Sequence, residues 1–187
     1  MRRRGKMIYI LLADGFEEIE ALTPLDMLRR ANAPVKTVSI TERREVVGAH
    51  GITVLADLTF TDDLEKASLL VLPGGMPGAA NLDASAFVSA LIKETAEGGG
   101  HLAAICAAPM VLGHLGLLKG KRAVCYPGFE GELHGASLAD APVVTDGNVT
   151  TAMGMGAAIS FGAELVRLVS SEETARQLRS AICYKTV

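Results

Sequence analysis

Met7-Ile-Tyr-Ile-Leu-Leu-Ala13 is an unbroken apolar run that stops at an acidic turn, Asp14-Gly-Phe-Glu-Glu18. The run is too short for a helix, and apolar side chains at every position suit a strand buried on both faces. Ser68 to Leu72 and Leu102 to Ile105 have the same character and are also bounded by turn residues. Helical patterns at 17–32, 84–97 and 107–118 alternate with these runs. That alternation predicts a mostly parallel sheet covered by helices, an α/β fold. Further strands are expected at Val35–Ile40, Gly51–Leu55, Arg122–Cys125, Val143–Thr145 and Val149–Met153, with closing helices at 155–170 and 172–180.

The chain has 187 residues, 49% of them hydrophobic and 21% charged, which fits one domain over 7–187 without linker or repeat. With 18 basic residues against 21 acidic ones the net charge is -3, so no electrostatic footprint for nucleic acid exists and a small-molecule partner is expected. Three cysteines cannot all pair, which suits free thiols in a reducing, cytoplasmic setting. Residues 1–6 with the apolar run imitate a signal peptide, but Asp14 and its acidic neighbours follow at once and no small-residue cleavage site exists. We therefore expect 1–6 to be a disordered basic leader. No segment approaches the roughly 20 apolar residues of a membrane span.

In such a sheet, ligands bind beyond the carboxyl ends of the strands. The unusual residues gather there. Cys106 ends an apolar run and opens a helical pattern among Ala104, Ala107 and Ala108, as in a nucleophile elbow, where a sharp turn demands small neighbours. A helix amino terminus would favour its thiolate; the alternative is a buried, inert cysteine. Asp14 to Glu17 has the spacing of a capping box, with Asp14 as cap and Glu17 structural. Glu20 shares a helical stripe with Pro24, Met27 and Ala31. It is either a partly buried carboxyl with a raised pKa or a solvated helix glutamate.

Gly74-Gly75 after an apolar strand can present bare amides to an oxyanion, or can simply turn the chain. Gly154-Met-Gly156-Ala-Ala-Ile159 lacks the third small residue of a dinucleotide fingerprint and is followed by no strand, so no nicotinamide site is expected. His50, His101, His114 and His134 show no metal-ligand spacing, so no metal is expected either.

Asp14-Gly-Phe-Glu-Glu-Ile-Glu-Ala21, Leu72-Pro-Gly-Gly-Met-Pro-Gly-Ala79 and Ala103-Ala-Ile-Cys-Ala-Ala-Pro109 together resemble the ThiJ/PfpI superfamily, in its DJ-one branch. The resemblance runs from Met7 to about Tyr184. It implies a flavodoxin-like three-layer sandwich, Cys106 as nucleophile in a strained elbow, and a protonated Glu20 against its sulfur. It places oxyanion amides at Gly75 and Ala107 and adds Gly74 and Met76 to the pocket. It further implies a homodimer through the first helix, with His50 standing where relatives send an arginine into the partner's cysteine pocket, and Arg30 near the same pocket. Tyr126 and Met153 replace residues more usual in the family, a histidine and an arginine or glutamine.

The function implied is a cofactor-independent, glutathione-independent enzyme of the glyoxalase III or deglycase type, acting on methylglyoxal, glyoxal or their glycated adducts. Two alternatives use the same thiol: a peroxide sensor or redox-regulated chaperone, and an intracellular amidase or peptidase. The last lacks an evident imidazole base, because Tyr126 stands where one is expected.

Overall fold

A computed structural model describes residues 7–184; the basic stretch 1–6 lies outside the described residues. In chain order the elements are β1 (Met7–Leu12), α1 (Glu18–Arg30), β2 (Val35–Ser39), β3 (Glu45–Val47), β4 (Thr53–Leu55), β5 (Leu58–Thr59), β6 (Ala67–Leu72), α2 (Gly78–Ala84) and α3 (Ala86–Glu97). There follow β7 (His101–Ile105), α4 (Pro109–His114), β8 (Arg122–Ala123), β9 (Ser137–Leu138), β10 (Val143–Asp146), β11 (Val149–Ala152), α5 (Ala158–Val169) and α6 (Glu172–Ala181). Among the described residues the central sheet has seven strands in the order β10-β11-β7-β6-β1-β2-β5. Every pairing in it is parallel except β10 with β11.

The three apolar runs form the three adjacent central strands β7, β6 and β1, buried on both faces as expected. Alternation within β1 divides the core. Ile8, Ile10 and Leu12 pack with residues of α1, α5 and α6, whereas Tyr9, Leu11 and Ala13 pack with those of α2, α3 and α4. The result is a three-layer α/β sandwich of flavodoxin-like form. On the first face α1 meets α5 closely, because a side chain on Gly162 would stand 2.6 Å from Met27 Sδ and 3.3 Å from Pro24 Cα.

Several expected elements come out shorter or elsewhere. The helix expected at 107–118 is only Pro109–His114, because the chain turns at Leu115 and passes through Gly116 in the left-handed region. The strand expected at 51–55 joins β3 in a separate small antiparallel sheet and not the main one. The expected cap at Asp14 is also corrected. α1 is capped by Glu17, whose carboxylate accepts from the Ile19 amide, while Asp14 accepts from the Val47 amide and from Arg43.

Candidate active site

The loops after β1, β6 and β7 are adjacent because their strands are. Each delivers one part of a site. After β7 the chain makes a tight turn in which the Ala108 amide donates to the Ile105 carbonyl at 3.1 Å, and Cys106 sits in that turn with φ 66°. A non-glycine residue there stores on the order of 1–3 kcal/mol, held in place by the surrounding structure. That support is visible. Cys106 donates its amide to the Ala152 carbonyl at 2.9 Å and accepts at its own carbonyl from the Tyr126 amide at 2.8 Å. Ala107 and Ala108 are fully buried, so the small residues read from the sequence are required by space.

The loop after β6 supplies Gly74 and Gly75. Gly74 must be glycine, because an added Cβ would lie 2.6 Å from Cys106 Cβ and 2.7 Å from Glu20 Oε2. Gly75 has φ 85°, open to glycine at little cost, and turns its amide toward the sulfur. From the loop after β1, α1 carries Glu20 inward at 1% exposure on the stripe with buried Pro24 and Met27. Glu20 Oε2 accepts from the Gly74 amide at 3.0 Å. The Cys106 thiol and the Met155 backbone amide also face the carboxyl and favour its charged form.

Burial raises Glu20 from an ordinary 4.5 to about 7. Burial, the neighbouring Glu20 charge and the hydrogen bond to Glu20 push the Cys106 thiol up to about 12, against the pull of the Gly75 and Ala107 amides. This corrects the expectation of a thiolate favoured simply by a helix terminus. α4 begins only at Pro109 and spans six residues, so the amides that serve the sulfur belong to the turn and to the β6 loop. When Glu20 takes the proton, its charge no longer opposes the thiolate, and its O–H can donate to sulfur. The two groups share one proton, and its position decides reactivity.

Of the other expected pocket residues, Met76, Tyr126 and Met153 are exposed, Met76 directly after Gly75 and Met153 in a separate cleft with Cys125 and Leu138. Tyr126 packs beside Gly154, where an added Cβ would meet its ring at 3.3 Å and Glu20 Oε1 at 3.8 Å. Arg30 is not brought to the site within this chain. It lies ten residues beyond Glu20 on α1, about 15 Å along the axis, and pairs with Asp26 at 2.6 Å. His50 is exposed in the turn before β4, with Nδ1 2.9 Å from Glu18 and 3.4 Å from Glu17. His101 bonds Thr150 at the opposite end of β7, and among the described residues no histidine hydrogen-bonds Cys106.

Two participants were missed in the sequence. Met155 offers its amide to Glu20 from the glycine-bounded segment considered only for dinucleotide binding. Glu18 is as buried as a core residue and accepts from the His50 amide at 2.8 Å, which ties the 48–52 turn to α1. Its signal was Gly48, where an added Cβ would overlap the Glu18 carboxylate, so that only glycine lets the turn close over it.

The family described as DJ-1/PfpI matches residues 6–168 of the chain. The chain is 31% identical over 181 residues to protein dj-1beta of Drosophila melanogaster, covering 95% of this chain and 97% of that one. It is 36% identical to protein DJ-1 homolog B of Arabidopsis thaliana over 93% of its own length, but spans only 40% of that longer protein. A deglycase of Thermococcus kodakarensis is 34% identical over 87% of this chain and 98% of its own. Among solved structures, oxidized Toxoplasma gondii DJ-1 superposes with a TM-score of 0.92 at 32% identity, over 97% of this chain and all of that one.

Proposed function

Because the chain belongs to the DJ-1/PfpI family, we propose that it is a deglycase or glyoxalase that needs neither cofactor nor glutathione and acts on methylglyoxal, glyoxal or their adducts. The observation that carries this reading is the buried Glu20 carboxyl, raised to about 7, which faces the thiol of a strained Cys106 across Gly74. A nucleophile beside a proton carrier poised near neutrality is what a 1,2-dicarbonyl substrate requires.

The Cys106 thiolate adds to the aldehyde carbon, and the new alkoxide is met by the amides of Gly75 and Ala107. That oxygen is then protonated. Glu20, as carboxylate, takes the proton from the same carbon while the neighbouring carbonyl oxygen is protonated, giving an enediol; it then returns the proton to the second carbon as the first oxygen releases its own, which leaves a thioester beside the new hydroxyl. Water attacks the thioester carbonyl, and the hydroxy acid leaves as the Cys106–carbon bond breaks. For methylglyoxal the sum is one substrate and one water to one lactate. Tyr126, whose ring lies against Gly154 near Glu20, and exposed Met76 after Gly75 would set which adducts enter.

The chain is proposed to work as a homodimer in the cytoplasm. Supporting this is a groove of about 600 Å³ along α1, lined by Ile19, Leu22, Ile52, Ile159 and Ile182. His50, on the turn beside Glu17 and Glu18, would cross to the partner's Cys106 pocket. Among the described residues no helix is long and apolar enough to cross a membrane.

A second reading, peroxide sensing through Cys106 by a redox protein or redox-regulated chaperone, is favoured by the oxidized state of the Toxoplasma gondii relative. The peptidase reading has no imidazole at the sulfur to support it. Purified protein given methylglyoxal without glutathione separates the first two, since steady lactate formation requires an enzyme and a sensor reacts stoichiometrically.

A further inference from the structure

His114, the last residue of α4, stands between two carboxylates. Its Nδ1 lies 3.0 Å from both oxygens of Asp83 on α2, and its Nε2 lies 2.9 Å from Glu132 Oε2 in the 3-10 turn Glu130–Glu132. The ring of His134 is 5.2 Å from that of His114, centroid to centroid. One ligand atom from each of His114, Glu132 and His134 falls within 4.8 Å of the other two.

The backbone is built for this approach. A side chain on Gly113 would overlap the Glu132 carbonyl and stand 3.0 Å from Leu133 Cα, so only glycine lets the 130–134 segment lie directly on α4. Leu133 is buried as an anchor, and the residues on either side of it, Glu132 and His134, are turned outward together.

We propose that His114 Nε2, His134 and Glu132 form a site for a borderline divalent transition metal such as zinc, separate from Cys106. Two imidazoles and one carboxylate are the donors zinc accepts, and three protein ligands leave a fourth tetrahedral position for water. Asp83 completes the pattern from outside. It holds the Nδ1–H of His114, which fixes the tautomer and aims the Nε2 lone pair at the site, as carboxylates behind metal-bound histidines do. On binding, the metal replaces the proton that Nε2 shares with Glu132, and that proton leaves to solvent. Histidine spacing alone argued against a metal, because Glu132 and His134 follow His114 by 18 and 20 residues and meet it only through the fold.

The position has a consequence for the catalytic loops. α2 starts three residues after Gly75, and α4 starts three residues after Cys106. A metal held by α4 and oriented by α2 ties the far ends of the two helices that extend from the oxyanion loop and the elbow. Metal bound to the folded chain therefore raises thermal stability in a concentration-dependent way.

Tag-free, chelator-treated full-length protein titrated with zinc chloride in a calorimeter tests the site, with cobalt(II) absorption as a second readout. One zinc ion per chain is expected, together with four-coordinate cobalt bands that lack sulfur charge transfer. His134→Gln and His114→Gln should abolish both, and Asp83→Asn should weaken binding about 10–100-fold. Cys106→Ser and His50→Gln should bind as the parent does. His134 is exposed on a turn, so its variant remains informative even if His114→Gln disturbs α4. Zinc binding unchanged in His134→Gln, binding lost in Cys106→Ser or His50→Gln, sulfur charge transfer in the cobalt spectrum, or no saturable binding would each overturn the proposal.

Discussion

The amide of Gly74 donates to Glu20 Oε2 at 3.0 Å, while the amide of the next residue, Gly75, faces the Cys106 sulfur. One glycine pair therefore orients the proton carrier and the nucleophile together. The pairing requires the missing Cβ at Gly74, since the three atoms it would strike first are Cys106 Cβ, Glu20 Oε2 and the Ile105 carbonyl oxygen.

Gly74→Ala is accordingly expected to destabilise the fold by about 1–3 kcal/mol through overpacking and to strip Cys106 of its reactivity. Gly156→Ala, which meets open space, should leave both intact. Urea unfolding and the rate of thiol alkylation measure the two effects. Equal behaviour of the two variants would show that the close approach does not matter.

Stability should depend on pH in two separate windows. Glu20 is raised from 4.5 to about 7, so between those values the folded state holds a proton that the unfolded state has released. Its contribution is fully present below 4.5 and is lost as pH rises through 7, on the order of 3 kcal/mol at about 1.36 kcal/mol per unit. His101 is lowered by burial from 6.5 to about 4. Its contribution is present above 6.5 and is lost as pH falls through 4. Thermal melts at pH 5 and 8 should show Glu20→Gln gaining on the parent as pH rises. A constant difference between the two proteins would place the carboxyl in a solvated state.

Cys106 should be the cysteine that retains a sulfinic acid after mild peroxide, because the Glu20 hydroxyl and the amides of Gly75 and Ala107 can donate to its oxygens. Cys125 is buried and pushed up to about 11, and Cys183 is exposed just past the end of α6. Peptide mass spectrometry gives the order. Sulfinic acid accumulating first at Cys183 would contradict it.

Ile52→Asp should convert the proposed dimer to a monomer, since Ile52 is 54% exposed in the groove along α1. Sedimentation at micromolar concentration reads this directly. In the dimer His50→Ala should lower activity without changing the sedimentation profile. A parent protein that sediments as a monomer would remove both the interface and the role of His50.

The central sheet was legible because β1 is apolar throughout and β6 and β7 carry one polar residue each, Ser68 and His101, near their starts, in runs of five or six residues that suit strands buried on both faces. Cys106 was legible for a related reason, as the alanines around it record how little room the elbow leaves. The stripe with Pro24 and Met27 left Glu20 either partly buried or solvated, and it was the resemblance that set it against the sulfur; the structure buries it. The elements that were misread depend on contacts distant in sequence. α4 is short because Gly116 turns the chain, and the cap fell to Glu17 because Asp14 is engaged by Val47 and Arg43, some thirty residues away. The thiol's environment is of the same kind. Its amides come from the β6 loop and the turn itself, a composite site that no local helix rule describes.

Lactate formation from methylglyoxal without glutathione, measured for the parent and for Glu20→Gln alongside alkylation of Cys106, tests the shared-proton account most directly. Glutamine keeps the shape, accepts from the Gly74 amide and donates to sulfur, but cannot carry a proton. Turnover is expected to fall about 10²–10⁴-fold while alkylation persists, with exposed Glu94→Gln as an unaffected control. Lactate formation at the parent rate in Glu20→Gln, or none in the parent itself, would contradict the account.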